Sequence, residues 1–126
     1  MSKRILIVDD DPDLVEAVSM LLEAEGMVPI AAYGGSEGLE KAKSENPDLI
    51  VLDIMMPDKD GYAVAKELAA DDSLNTIPVI MLTAVTDYVG STSYSHQDGK
   101  GLEADDFFQK PVDPQALVDR IMQLVS

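Results

Sequence analysis

The chain contains no cysteine, so disulfides and thiolate metal sites are excluded and the redox compartment is left open. Basic residues are scarce. Nine of them against 24 acidic ones give a net charge of −15. That balance opposes direct binding to nucleic acid or insertion at an anionic membrane, both of which need basic patches. It fits plain solubility, a basic partner or bound cations, and composition does not choose among these. Long hydrophobic runs are missing too. Behind Lys3 and Arg4 only four aliphatic residues, Ile5 to Val8, precede three aspartates. That is too short for a signal-peptide core or a membrane span, and a soluble cytoplasmic protein is expected. There is no internal repeat, linker or low-complexity tail. The 126 residues suffice for one domain over 1–126. A chain of that size buries roughly two-thirds of its unfolded surface, enough for a core without staples.

What the chain does have is centred on Leu49-Ile50-Val51-Leu52-Asp53-Ile54-Met55-Met56-Pro57. A short continuous apolar run is the mark of a strand buried on both faces. Asp53 stands at its carboxyl end, where open α/β sheets place their ligand crevice. A carboxylate there is either the start of a turn or a group that is paired, hydrated or bound to a metal.

The remaining segments alternate. Strands are predicted at Lys3–Val8, Met27–Ala32, Leu49–Asp53, Ile77–Thr83 and Asp106–Gln109. Pro29 marks the second as an edge strand. Asp11 followed by Pro12, and Asp113 followed by Pro114, are helix starts. Leu14, Val15, Val18, Leu21 and Leu22 give the first helix its apolar face, and Leu117, Val118, Ile121, Leu124 and Val125 the last. Gly26 and Asn46-Pro47 end helices, and Gly38 weakens the second. A helix is predicted over Tyr62–Ala70. Residues 84–104 hold several glycines and hydroxyls with no apolar period, so any helix there is short or displaced. Five βα units imply a parallel sheet covered on both faces, with right-handed crossovers.

Such a sheet gathers Asp9 and Asp10, Asp53, Thr83 and Lys110 at one edge. Taken singly each has a plain structural role: an acidic helix start for Asp9, Asp10 and Asp11, a satisfied hydroxyl for Thr83, a solvated charge for Lys110, core for Phe107. Taken together they form a chemical set. Clustered carboxylates repel one another, and a hard divalent cation such as Mg2+ removes the conflict while keeping open positions for a phosphate oxygen. Asp53 is then a nucleophile able to form an acyl phosphate, with Lys110 and Thr83 placed to meet the transferred group.

Other classes fit less well. Asp58, Asp60, Gly61 and Glu67 match part of a calcium loop, but Met56 stands at its first ligand position. A flavin carrier needs a hydroxyl- and glycine-rich loop after the first strand, where this chain has aspartates. An aspartyl phosphatase normally carries its nucleophile after the first strand in an Asp-x-Asp motif, together with a cap domain.

Four motifs carry a resemblance: Ile5-Leu6-Ile7-Val8-Asp9-Asp10-Asp11-Pro12, Asp53-Ile54-Met55-Met56-Pro57-Asp58-Lys59-Asp60-Gly61, Val79-Ile80-Met81-Leu82-Thr83-Ala84 and Ala104-Asp105-Asp106-Phe107-Phe108-Gln109-Lys110-Pro111. Over its whole length the chain resembles the receiver domain of two-component response regulators. The resemblance implies a flavodoxin-like, doubly wound sheet of five parallel strands in order 2-1-3-4-5, with helices on both faces. It implies phosphorylation of Asp53 by a histidine kinase or histidine phosphotransfer protein. It implies Mg2+ on Asp10, Asp53 and the backbone carbonyl of Met55, with Asp9 acting mainly through water. Thr83 and Phe107 would switch together, Lys110 would pair with Asp53, and the Lys110-Pro111 bond would be cis. The family catalyses only its own phosphotransfer and autodephosphorylation and is not an enzyme acting on other substrates. Met55 and Val85 fall at positions that tune phosphoryl lifetime in the family.

The output face in the family joins the fourth helix, the fifth strand and the last helix, and meets a downstream protein target. Asp106 and Arg120 would belong to a face used by a phosphorylation-dependent dimer, the alternative being a monomer. The chain end at Ser126 coincides with a helix end, as in a free-standing motility or phosphorelay receiver. Thr83 and Lys110 lie 27 residues apart, a few more than the family pattern, and the excess falls near Tyr88, Tyr94 and His96. If that stretch is a partner-specific surface, deleting residues 90–99 spares phosphorylation and abolishes partner binding. Binding that survives the deletion, measured by pull-down with the partner, removes that assignment.

Overall fold

The computed structural model describes residues 2–56, 58–83 and 106–126. In chain order it contains β1 (Arg4–Val8), α1 (Pro12–Ala24), β2 (Val28–Ala32), α2 (Gly35–Glu45), β3 (Leu49–Asp53), α3 (Gly61–Ala70), β4 (Val79–Thr83), β5 (Asp106–Gln109) and the C-terminal helix α4 (Pro114–Val125). The predicted helix of residues 84–104 and the positions Val85, Tyr88, Tyr94 and His96 lie outside the described residues.

The strands form one sheet in the order β2-β1-β3-β4-β5, and every pairing is parallel. β3 is the middle strand, and all five of its residues are buried. Its neighbours alternate between two cores, as the period of two requires. Leu6, Val8, Ile50, Leu52 and Met81 face Leu39 and Ala42 of α2 and Val64, Ala65 and Leu68 of α3. Ile5, Ile7, Val51, Ile80 and Leu82 face Val15, Val18 and Leu22 of α1 and Leu117, Val118 and Ile121 of α4. The apolar runs seen in the sequence are therefore divided strand by strand between two covered faces.

One device starts three of the four helices. Asp11, Asp60 and Asp113 each accept the backbone N–H two residues on, from Asp13, Tyr62 and Gln115. Each cap of this kind contributes about 1 kcal/mol. Two predicted boundaries move for reasons of hydrogen bonding. The second strand starts at Val28, because the N–H of Met27 still closes the helix end on Leu22 O, at 2.9 Å. The fourth starts at Val79, because the N–H of Ile77 is held in a turn by Leu74 O and Pro78 has none.

β2 is the edge predicted from Pro29, and α2 guards it. Val28 N–H bonds Lys3 O and Ala32 O accepts from Asp9 N–H, so even positions of β2 turn to β1 and odd positions turn outward. Outward-facing Ala31 O accepts Lys41 Nζ at 2.6 Å, and Tyr33 N–H meets Glu37 Oε1 at 2.9 Å. Lys41 and Glu37 also pair with each other at 3.1 Å. Charged side chains thus occupy the backbone groups that another strand would use.

The turn out of β3 depends on Gly61. Its N–H bonds Ile54 O at 2.9 Å, and a Cβ there would lie 2.3 Å from the backbone oxygen of Asp53. The obstacle is main chain and cannot swing away. Gly61→Ala should therefore destabilise the fold by about 1–3 kcal/mol or more, the range for overpacked sites. Urea unfolding checks this, and wild-type stability in the variant would contradict the close approach.

Candidate functional site

Parallel pairing brings the carboxyl ends of the strands to one edge. Asp53 stands opposite Leu82, and Thr83 opposite Gln109. The N–H of Lys110 then bonds Thr83 O at 2.6 Å, and the Lys110-Pro111 peptide is cis. Asp9 follows β1 and is fixed from two sides: its N–H bonds Ala32 O at 3.0 Å, and its Oδ1 accepts Asp11 N–H at 2.9 Å.

Two carboxylates are almost wholly removed from solvent here, Asp9 at 0% and Asp53 at 1% exposure. Lys110 Nζ lies between them, 3.0 Å from Asp9 Oδ2 and 3.3 Å from Asp53 Oδ1. Asp53 Oδ1 also accepts Met55 N–H at 3.3 Å. Asp9 Oδ2 faces the ammonium outside hydrogen-bonding geometry, and buried Asp53 Oδ2 has no hydrogen-bond partner. Exposed Asp10 completes the group: Asp9, Asp10 and Asp53 each offer an oxygen within 4.8 Å of the others. An all-oxygen donor set with an orphaned buried carboxylate oxygen fits a hard divalent cation.

One ammonium does not neutralise the set. Burial, then the neighbouring Asp9, push the Asp53 carboxyl up to about 6, against the pull of Lys110 and of the Met55 N–H. Burial draws Lys110 down, but two carboxylate partners outweigh it and hold the ammonium above its ordinary value. The asymmetry is physical: Lys110 sees two opposite charges, whereas Asp53 sees one of each sign.

The other predicted residues sit around this centre. Thr83 Oγ1 is turned toward β5, donating a long 3.4 Å bond to Phe108 O. Phe107 points outward and is 37% exposed, so it is not a core residue. Met55 lies exposed beside the site. Arg120 Nε and Asp106 Oδ2 pair within the chain at 2.7 Å, joining α4 to β5. Two contacts escaped the sequence reading. The partnership of Asp9 with Lys110 is one, since the resemblance has Asp9 acting mainly through water and pairs Lys110 with Asp53. The other is Asp58, whose carboxylate reaches back to α2. Neither carries a sequence signal, because both depend on the distance between segments far apart in the chain.

An open parallel α/β sheet with an acidic, lysine-bridged crevice at its carboxyl edge defines the class. The chain matches the model of the response regulator receiver domain over residues 5–122 and belongs to that family. It is 40% identical over 123 residues to the DNA-binding response regulator MtrA of Mycolicibacterium smegmatis, covering 96% of this chain and 50% of that one. It is 38% identical over 125 residues to the alkaline phosphatase synthesis transcriptional regulatory protein PhoP of Bacillus subtilis, covering 99% and 49%. The chain thus spans about half the length of these relatives. Among solved structures, the chemotaxis response regulator CheY4 of Vibrio cholerae is similar, with a TM-score of 0.85 at 27% identity over 98% of this chain and 99% of that one. A putative response regulator of Chloroflexus aurantiacus gives 0.84 at 30% identity, over 99% and 98%. The chain is a receiver domain of two-component signalling, and receiver domains interact with histidine kinases.

The raised Asp53 value fixes a sign. The folded protein retains a proton that the unfolded chain, with its value near 3.8, has released. This contribution to stability is full below the unfolded value and is lost as pH rises through about 6. Asp53→Asn mimics the protonated group at every pH. In chelator it should stabilise the protein by roughly 2–3 kcal/mol at pH 7.5, a gain that vanishes toward pH 4. Urea titrations at several pH values read this directly. A gain that does not change with pH would mean that Asp53 carries no such shift.

Proposed function

We propose that Asp53 is the phosphoryl acceptor of this receiver, supplied by a histidine kinase or histidine phosphotransfer protein. The observation that carries this reading is Asp53 Oδ2, a buried strand-end carboxylate oxygen left without a partner while Lys110 holds Oδ1. A carboxyl value of about 6 leaves Asp53 ionised, and therefore nucleophilic, at neutral pH. Its oxygen forms a bond to phosphorus as the bond from phosphorus to the donor nitrogen breaks, and the electron pair leaves with the imidazole. Lys110, 3.3 Å from the accepting carboxylate, offsets the negative charge that the phosphoryl group brings. Asp10, Asp53 and the Met55 carbonyl would hold Mg2+, with Asp9 acting from behind. When bound, the ion supplies further positive charge beside the reacting carboxylate.

Thr83 and Phe107 are the switch. Among the described residues the hydroxyl of Thr83 has one long bond to give up, and Phe107 already sits partly exposed on β5. Reorienting them alters the face carried by β5 and α4, which a downstream protein target reads. Its output is a phosphorylation state, and its only reactions are its own phosphotransfer and autodephosphorylation. The excess of acidic residues supports protein partners rather than direct contact with nucleic acid. Among the described residues no helix is long and apolar enough to cross a membrane. We place the domain, spanning 1–126, in the cytoplasm with its kinase. It acts as a monomer or as a dimer formed on phosphorylation.

Intact mass after incubation with Mg2+ and a small phosphodonor tests the reading. One phosphate adduct is expected, absent with chelator and absent in Asp53→Asn. Lys110→Ala should slow its formation by about 10²-fold, the loss typical of one removed charge-stabilising group. An adduct that persists in Asp53→Asn would move the acceptor elsewhere.

A further inference from the structure

The loop between β3 and α3 carries Met55 beside Asp53, and its described residues form neither helix nor strand. Among its described residues Met56 packs against the core and three polar contacts tie the loop down. At its base Gly61 N–H bonds Ile54 O at 2.9 Å. Toward α3, Lys59 Nζ pairs with Glu67 at 2.5 Å. Toward α2, Asp58 uses both carboxylate oxygens: Oδ1 accepts Gly35 N–H at 3.0 Å and Oδ2 accepts Ser36 N–H at 3.1 Å.

The third tie fills a gap in the fold. Gly34 occupies the cap position of α2 and has no side chain to give, so no local residue caps the helix. Asp58 does so from a segment more than twenty residues later in the chain. The two N–H groups hold its carboxyl below the usual carboxylate range. The glycines make room for the loop. A Cβ on Gly34 would stand 3.0 Å from Asp58 Oδ1, and one on Gly35 would stand 2.7 Å from Lys59 Cβ and 3.0 Å from Lys59 O. Two glycines and one aspartate therefore act as a seat and a clasp.

We propose that Asp58 is a positioning residue for the Asp53 site, clasping the Met55 loop to the start of α2 and thereby fixing Met55 and the Asp53 carboxylate. The inference rests on the reading of Asp53 given above. The connection is short, with three residues from Asp58 back to Met55, and Met55 N–H bonds Asp53 Oδ1 at 3.3 Å. Without Asp58 the loop keeps its base at Gly61, the Lys59 pair and the packing of Met56 against the core, but loses its tie to α2. Coupling of this kind runs in both directions. Whatever fixes Met55 also fixes Asp58, so adding Mg2+ should slow amide exchange at Gly35 and Ser36.

The test uses the full chain with Asp58→Ala, Asp58→Asn and, as a charge control, Asp72→Ala, which removes an exposed carboxylate outside the clasp. Calorimetric titration with Mg2+ and amide exchange are read side by side. Asp58→Ala should weaken Mg2+ binding by about threefold to tenfold, at or below the lower end of what outer residues around metal sites contribute. It should also speed exchange at Met55 and abolish the Mg2+-dependent protection of Gly35 and Ser36. Asp58→Asn, with one acceptor oxygen left, should fall between, and Asp72→Ala should match wild type. If Asp58→Ala speeds exchange at Gly35 and Ser36 alone, with Mg2+ affinity and Met55 unchanged, Asp58 is only a helix cap and the proposal is overturned. If the wild-type chain itself binds no Mg2+, the reading of Asp53 falls instead. Met55 exchange in Asp58→Ala then decides the clasp: faster upholds it, unchanged overturns it.

Discussion

Everything at the carboxyl edge of the sheet depends on one ammonium shared by two buried carboxylates. Lys110 reaches Asp9 and Asp53 from the far end of β5, across the width of β4. Removing it would leave two like charges out of water with no counter-ion, a loss that in comparable buried pairs costs about 3–5 kcal/mol. With it in place the set still carries a negative excess, and Asp53 is the member that shows it. A fold selected for stability alone would replace this group with apolar side chains of similar volume. Its retention places strain where a cation and a phosphoryl group would relieve it.

The sheet makes that arrangement possible because it is parallel throughout and buried on both faces. Asp9 and Asp53 end adjacent strands, so their separation is set by strand spacing and register, and neither can move without dragging a core strand. β3 supplies five consecutive buried residues to hold Asp53. The caps at Asp11 and Asp113 start helices within a few residues of strand ends, keeping those loops at this edge short. Short loops lower the entropy of ordering a charged site.

Much of this was legible in the sequence, and the exceptions share a cause. Apolar runs ending in Asp53 and Thr83, with Asp-Pro helix starts, were enough for the parallel βα alternation and for the gathering of Asp9, Asp10, Asp53, Thr83 and Lys110, whereas the strand order came from the family resemblance. These are local signals joined by a topological rule. Gly38 weakens α2 by propensity, and the structure adds a packing role that propensity does not show. A Cβ there would lie 2.8 Å from both methyl carbons of Val8, so the glycine is what lets α2 lie close to β1. Asp58 stands in the sequence as part of a calcium-loop match and of the family motif, yet its partners lie on another helix. The outward position of Phe107 depends on which face of β5 each residue takes, and four residues set that pattern weakly. In each case the deciding quantity is a distance between segments, which no local pattern encodes.

The disposition of the few cations completes the argument. Among the described residues, which hold eight of the nine basic side chains, five form ion pairs. Arg4 with Glu45, Lys41 with Glu37, Lys59 with Glu67 and Arg120 with Asp106 are all partly exposed, and each such pair contributes only about 0–1 kcal/mol. Three of these four link separate elements: α2 to β1, the Asp53 loop to α3, and α4 to β5. Their value lies in fixing orientation rather than in adding stability. Lys110 alone among the five meets carboxylates buried to 0% and 2% side-chain exposure. The chain therefore uses most of its paired positive charge to join neighbouring elements, Arg4 and Asp106 standing at the amino ends of their strands away from the site, and commits one cation to the site itself. The remaining negative charge at Asp9, Asp10 and Asp53 is left for something from outside the chain to balance.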